Sequence, residues 1–144
     1  MIYTRETKLA LGLCFAVHKE QQDKSGLPYV FHPFHLAEQM PDAESVTVAL
    51  LHDVLEDSDY TPGDLARMGF SSRVISALQL LTHDPDVPYF EYVARLKTDP
   101  LARRVKLADL RHNSDSSRLD TATEADLQRL EKYRAAIALL EKES

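Results

Sequence analysis

The residues best suited to chemistry in this 144-residue chain lie in one short stretch, residues 49–57 (ALLHDVLED). It places four ionisable side chains among five apolar ones, and these are His52, Asp53, Glu56 and Asp57. On a helix, residues four apart share one side, so the imidazole would stack with one carboxyl, and the other two carboxyls with each other. Burial of such groups at the edge of a core is costly unless their charge is offset. A divalent cation is the simplest way to offset it.

Two distant places supply groups of the same kind. His32 comes directly before a proline at the predicted start of a short helix. Asp109 lies in an apolar helical stretch, with Asn113 one turn further on the same face. A mixed nitrogen and oxygen set results from His32, Asp109 and the pair His52-Asp53. Such a set suits Mn²⁺, Fe²⁺ or a related first-row ion and leaves coordination positions for water and substrate. Such an ion makes water nucleophilic and polarises a phosphoryl oxygen, so the sequence predicts metal-assisted phosphate chemistry.

The elements that must position these groups are helical throughout, and the alternating pattern of strands does not occur in the sequence. Caps and prolines mark helix starts at Thr61-Pro62, Asp99-Pro100 and Thr123. We expect a single domain over residues 1–144 with an all-α fold, a compact orthogonal helical bundle with short connections. The predicted helices cover about residues 4–22, 33–40, 44–57, 61–69, 72–81, 89–97, 100–114 and 123–140.

Composition narrows the class of protein. The chain is 44% hydrophobic and 28% charged, as in an ordinary soluble globular protein. Its formal net charge of −6 argues against a nucleic-acid or membrane partner, but not against a polyphosphate held by a metal. Cys14 is the single cysteine, so no intramolecular disulfide is possible. The N-terminus is charged and no run approaches ~20 apolar residues, which predicts a cytoplasmic protein.

Three motifs in this sequence resemble a known family. His32, the pair His52-Asp53 and the distant Asp109 look like the H…HD…D pattern of the HD-domain metal-dependent phosphohydrolases. Residues 25–29 (SGLPY), 52–57 (HDVLED) and 106–109 (KLAD) more narrowly resemble the hydrolase domain of the RelA/SpoT family. The resemblance runs from the first helix to about residue 119. It implies an all-α HD-domain fold, a divalent metal that is usually Mn²⁺ with Fe²⁺, Co²⁺ or Mg²⁺ as other candidates, and removal of the 3′-pyrophosphate from guanosine tetra- and pentaphosphate.

The resemblance also implies roles for individual residues. The implied metal ligands are His32, His52, Asp53 and Asp109. Glu56 and Asp57 are implied to position or activate the attacking water and to manage the proton, and they follow the ligands by one helical turn. Two adjacent carboxyls beside a cation can have their pKa values driven apart, which leaves one ionised as a base. The candidate substrate-binding residues are Lys24, Ser25, Asn113 and Arg111.

The sequence departs from the family in places that concern the substrate. Asp23 stands where alarmone hydrolases commonly have a basic residue that packs on the guanine. Leu110 and Arg111 are exchanged relative to the family's usual order, and residues 114–116 (SDS) replace its Met-Arg-Thr. If Asp23 excludes the guanine, the substitution Asp23→Arg should raise activity on the alarmone.

Each candidate also has a simpler structural interpretation. Residues 52–57 could form a solvated face, and His32 could bond to backbone at a helix start. Asp109 could form a salt bridge with Lys106 or Arg111, and Asn113 could end a helix. The remaining histidines are expected to be structural or exposed, and these are His18, His35, His83 and His112. Because the candidate metal ligands occur in the same order and context as the family motifs, the metal site is the favoured interpretation.

The sequence thus predicts a metal-dependent phosphohydrolase that cuts a phosphoester or pyrophosphate of a nucleotide. The most specific version of this prediction is a guanosine 3′,5′-bis(diphosphate) 3′-pyrophosphohydrolase. One alternative is a nucleotidase or nucleotide pyrophosphohydrolase of other specificity. Another is a non-catalytic sensor module that binds metal and nucleotide, and a third is a purely structural helical protein. A homo-oligomer is compatible with all of these.

Overall fold

The computed structural model describes residues 1–115, 117 and 119–142. Within these ranges the chain is helical with no strand, and one isolated β-bridge joins Gln22 to Pro28. None of the described helices is long and apolar enough to cross a membrane. The all-α prediction is confirmed. The helices are α1 Arg5–His18, α2 Phe31–Glu38, α3 Ala43–Leu51, α4 Val54–Asp57, α5 Pro62–Met68, α6 Ser72–Leu81, α7 Tyr89–Leu96, α8 Pro100–Asn113 and α9 Glu124–Glu141.

Local sequence sets where most helices begin. Thr61 and Thr123 each cap a helix through a side-chain oxygen, in capping boxes with the acidic residue three positions later. The Asp99 carboxylate accepts from the first backbone N–H groups of α8. These three predicted starts are confirmed. Gly69 ends α5 with φ +108°, a left-handed conformation that glycine adopts without steric cost.

Helix α3 runs through the centre of the core. Its residues from Ser45 to Leu51 are all buried, and it packs against α1, α2, α6 and α8. Leu50 and Leu51 of α3 are almost fully buried. A leucine side chain buried to this extent stabilises the folded state by about 1.5–3 kcal/mol relative to an exposed one. The interior position therefore gives α3 a rigid C-terminal end, which is where the HD pair lies.

The central helix is interrupted, and the prediction of one helix over about 44–57 is wrong at this point. α3 ends at Leu51, and α4 begins at Val54. The ring Nδ1 of His52 donates to the carbonyl of Ala49 at 2.7 Å, the same carbonyl that Asp53 N–H would use in a continuous helix. Asp53 then takes φ −108° and ψ 2°, outside the helical range. The first helix was predicted over about residues 4–22. It is shorter in the structure, where α1 ends at His18.

Candidate active site

His52 lies at the break between α3 and α4, with a side chain that is 4% exposed. Because its Nδ1–H donates to Ala49, a neutral His52 carries its lone pair on Nε2. Burial lowers the pKa of His52, but the carboxylates of Asp53 and Asp109 outweigh it and raise the pKa to about 9, so positive charge is favoured at Nε2. This Nε2 is buried and has no hydrogen-bond partner in the described part of the chain. It lies 3.3 Å from Asp53 Oδ2 and 3.5 Å from Asp109 Oδ1. A buried ring nitrogen that faces two carboxylates favours a proton or a metal cation between them, so Nε2 is placed as a metal ligand.

Two other helices complete a cluster around that atom. α2 supplies His32, whose Nε2 lies 2.8 Å from Asp109 Oδ1 on α8. One ligand atom from each of His32, His52 and Asp109 lies within 4.8 Å of the others, and all three residues are buried. Two imidazoles and a carboxylate form a donor set of the kind that binds first-row divalent ions. The residues present therefore fit a metal ion.

Asp53 borders this cluster from its more open side. Its carboxylate is 30% exposed and accepts a hydrogen bond from the Tyr29 hydroxyl through Oδ2. Burial, together with the charge of Asp53, raises the pKa of Tyr29, so the phenol keeps its proton and remains a donor. The loop before α2 thus orients the second half of the HD pair.

A buried lysine balances the charge of Asp109. Lys106 lies one turn earlier on α8, and its Nζ is 3.1 Å from Asp109 Oδ2. Burial alone would raise the pKa of Asp109, but Lys106 and the two imidazoles outweigh it and hold the pKa well below its usual range. The Asn113 amide donates to Asp109 Oδ1 at 3.0 Å. The salt bridge considered as a structural alternative is present, with Lys106 as the partner, and coexists with the cluster.

The two acidic residues after the HD pair face different surroundings. Glu56 Oε1 accepts from the backbone N–H of His83 at 2.6 Å, and partial burial raises the pKa of Glu56. Asp57 Oδ2 accepts from the Gln21 amide at 3.3 Å and lies 3.9 Å from His18 Nδ1. Within α4, Glu56 thus contacts the segment after α6, whereas Asp57 contacts the end of α1 and the residues that follow it.

Two cavities flank the cluster. The larger one, about 350 Å³, lies between the loop after α1, the end of α8 and α9, and reaches the cluster at Tyr29 and Asn113. The smaller one, about 140 Å³, contains His52, Asp53 and Asp109 in its wall. Its other described lining residues are Glu56, Leu81, His83, Tyr89, Tyr92, Val105 and Lys106. A substrate could therefore extend on both sides of a metal held at the cluster.

Comparison with known proteins places the chain in a family. No family model matches the sequence. A mouse (Mus musculus) protein, guanosine-3′,5′-bis(diphosphate) 3′-pyrophosphohydrolase MESH1, is 31% identical over 134 residues, which cover 83% of this chain and 74% of the mouse protein. The chain belongs to the MESH1 family of HD-domain hydrolases. A guanosine-3′,5′-bis(diphosphate) 3′-pyrophosphohydrolase of Aquifex aeolicus is 38% identical over 91 residues, but these span 13% of that longer protein.

A solved structure supports the fold of this family member. It is that of a metazoan ortholog of SpoT that hydrolyses ppGpp, and it superposes with a TM-score of 0.76. The superposition covers 98% of this chain and 88% of the other, at 21% sequence identity. The HD-type helical fold predicted from the sequence is thereby confirmed.

The predicted substrate residues divide into two groups in this MESH1-family chain. Lys24, Ser25 and Asn113 line the larger cavity. Arg111 instead pairs with Glu141 on α9, is 59% exposed and is absent from the described walls of both cavities. The structure therefore does not bring Arg111 to the site.

One carboxylate oxygen of Asp23 accepts hydrogen bonds from within its own loop. Its Oδ1 accepts from the backbone N–H and the hydroxyl of Ser25, at 2.9 and 2.6 Å, and from the N–H of Leu27 at 3.0 Å. These bonds give the acid a structural role in the loop between α1 and α2. Of the departing segment 114–116, Ser116 lies outside the described residues.

Sequence reasoning missed three contributors to the site. Arg129 and Tyr133 of α9 line the larger cavity, and neither was among the candidate site residues. Their spacing of four residues was the available signal. His112 was expected to be structural or exposed, but its ring contacts His32. It lies three positions after Asp109, on the same face of the helix.

Proposed function

We propose that this protein hydrolyses the 3′-pyrophosphate of guanosine 3′,5′-bis(diphosphate) with the help of a divalent metal. The observation that carries the proposal is the cluster of His32, His52 and Asp109, with its unpartnered buried nitrogen, between two cavities. The mouse and Aquifex relatives are named for this activity, which supports the substrate.

The proposed metal ligands are His32, His52, Asp53 and Asp109. Mn²⁺ is the proposed ion because two imidazoles and two carboxylates make a mixed donor set of intermediate softness, which Fe²⁺ and Co²⁺ share and which suits Mg²⁺ less well. When bound, such an ion would activate the attacking water and reduce the charge on the scissile phosphoryl group. Lys106 would keep Asp109 ionised for this purpose.

Glu56 is the proposed proton carrier. Its carboxyl lines the smaller cavity together with His52 and Asp53, within the space where a water would attack. Partial burial raises the pKa of Glu56, which makes it a better proton acceptor than an ordinary glutamate. Asp57, which accepts from the Gln21 amide, is the second proposed proton-handling residue.

The two cavities suggest how the substrate is divided. We place the nucleoside and its 5′-diphosphate in the larger cavity, where Lys24 and Arg129 supply positive charge and Ser25 and Asn113 supply hydrogen-bond donors. The departing pyrophosphate would enter the smaller cavity. There Lys106 offers an ammonium, and the buried hydroxyl of Tyr89 has no partner in the described part of the chain.

The test is a hydrolysis assay with Mn²⁺ on a panel of nucleotides that includes guanosine 3′,5′-bis(diphosphate). Wild type should release pyrophosphate from the alarmone, and Asp53→Ala should abolish release. Asp59→Ala is a matched control, because Asp59 is an exposed acid that is absent from the described walls of both cavities. Turnover of other nucleotides alone would establish a different specificity. A thermal shift with nucleotide but no product would establish a sensor, and no metal binding would end the hydrolase proposal.

A further inference from the structure

Two imidazoles lie side by side behind the metal cluster. His32 Nδ1 and His112 Nδ1 are 2.6 Å apart, and their rings are close to parallel, with 8° between the planes and 4.9 Å between the centroids. At this separation one nitrogen donates a proton and the other accepts it. The pair is therefore a hydrogen bond with a definite direction.

The other ring nitrogen of His32 sets that direction. His32 Nε2 faces the cluster and, when it carries a proton, donates to Asp109 Oδ1 at 2.8 Å. To bind a metal it must give up that proton and offer a lone pair. A neutral imidazole with its lone pair on Nε2 carries its proton on Nδ1. In the metal-binding tautomer, His32 therefore donates to His112.

We propose that His112 is a positioning residue that fixes the tautomer and ring orientation of His32 for metal binding. One turn of α8 supplies Asp109 and His112, so the same helix contacts both nitrogens of the His32 ring. On the other side, His35 lies against His112 with 4.3 Å between ring centroids, and Gln39 contacts His35 at 2.7 Å. The acceptor is thus itself held in place by α2.

The second imidazole of the cluster shows the same arrangement with a different partner. His52 Nδ1 donates to the backbone carbonyl of Ala49, which no side-chain substitution removes. His32 depends on a side chain instead, so its orientation can be tested by mutation. A partner that orients a metal-binding histidine typically contributes about 10–100-fold to metal affinity.

The experiment measures Mn²⁺ affinity by titration calorimetry, on wild type and on three variants. His112→Leu removes the acceptor and should weaken Mn²⁺ binding about 10–100-fold. His112→Asn places an amide oxygen near the position of Nδ1 and should restore most of the affinity. Asp59→Ala is the control, because Asp59 is exposed and absent from the described walls of both cavities, and it should bind Mn²⁺ as wild type does.

The outcomes separate this inference from the proposals on which it rests. It requires the proposed metal site and is independent of the substrate. If wild type binds no Mn²⁺, the metal site itself is refuted. If wild type binds but His112→Leu binds equally well, or if His112→Asn is as weak as His112→Leu, the positioning role alone is overturned. Melting of the metal-free proteins is the structural control, because a packing defect would lower metal-free stability in both His112 variants.

Discussion

Replacement of Lys106 by methionine should destabilise the metal-free protein strongly. The Lys106 side chain is 15% exposed, and its ammonium is the permanent cation beside the buried Asp109 carboxylate, 3.1 Å away. Methionine keeps most of the volume but leaves that carboxylate with fewer compensating charges. Loss of one partner of a buried ion pair costs about 3–5 kcal/mol. At roughly 2–4 °C per kcal/mol for a chain of this size, Tm should fall by about 6–20 °C.

The assay is thermal melting in EDTA at several pH values, with Lys132→Met as the matched control. Lys132 is exposed and lies over the Tyr89 ring, with Nζ 4.0 Å from the centroid, so its loss should cost about 0.5–1 kcal/mol. The folded-state pKa of Asp109 is depressed, so its contribution to stability is present above the ordinary aspartate pKa of about 4 and is lost as pH falls through the folded value. The defect of Lys106→Met should therefore shrink in acid.

The double variant Lys106→Met with Asp109→Asn decides whether the pair explains the loss. Removal of both charges should leave the protein more stable than Lys106→Met alone, because no buried carboxylate then lacks its cation. Saturating Mn²⁺ should also reduce the defect of the single variant. A Tm of Lys106→Met within the range of Lys132→Met, or a double variant whose losses simply add, would refute the reasoning.

Four further substitutions have defined expectations. Glu56→Gln should lower kcat by about 10²–10⁴-fold. In wild type, kcat should fall with decreasing pH through a pKa above that of an ordinary glutamate, because that of Glu56 is raised, and a pH profile measures this. Asp23→Asn keeps an oxygen acceptor for its loop and should leave KM for the alarmone near wild type. Asp23→Arg loses that acceptor and should raise KM, contrary to the expectation from sequence. Arg111→Ala should leave kcat/KM unchanged and cost under about 1 kcal/mol in urea unfolding.

The ligand cluster could be predicted from the sequence because its residues are polar where their neighbours are apolar. His52 and Asp109 each interrupt a run of core residues, and such an interruption indicates a function or a buried pair. The break after α3 was not predictable, since residues 44–57 have helical periodicity throughout and the competing hydrogen bond from His52 to Ala49 is visible only in three dimensions.

The surroundings of the cluster were harder to predict than the cluster itself. The contact between His112 and His32 joins residues 80 positions apart, and the placement of Arg129 at the larger cavity depends on how α9 packs on α8. Local spacing shows which residues share a helix face, but not which other helix that face meets. The assignment of residues 1–144 to one domain, the roles of the individual site residues, the identity of the metal, the compartment and the oligomeric state stay predictions.

The loop between α1 and α2 is closed by bonds among its own residues. Asp23 N–H donates to the Leu27 carbonyl and Tyr29 N–H to the Gln21 carbonyl, both at 2.8 Å, while the Asp23 carboxylate fills the interior of the turn. Such a loop can be exchanged as a unit, because its ends stay fixed when its middle residues change. We therefore expect that replacement of residues 22–28 by the matching loop of a relative changes nucleotide preference, while the cluster of His32, His52 and Asp109 stays untouched.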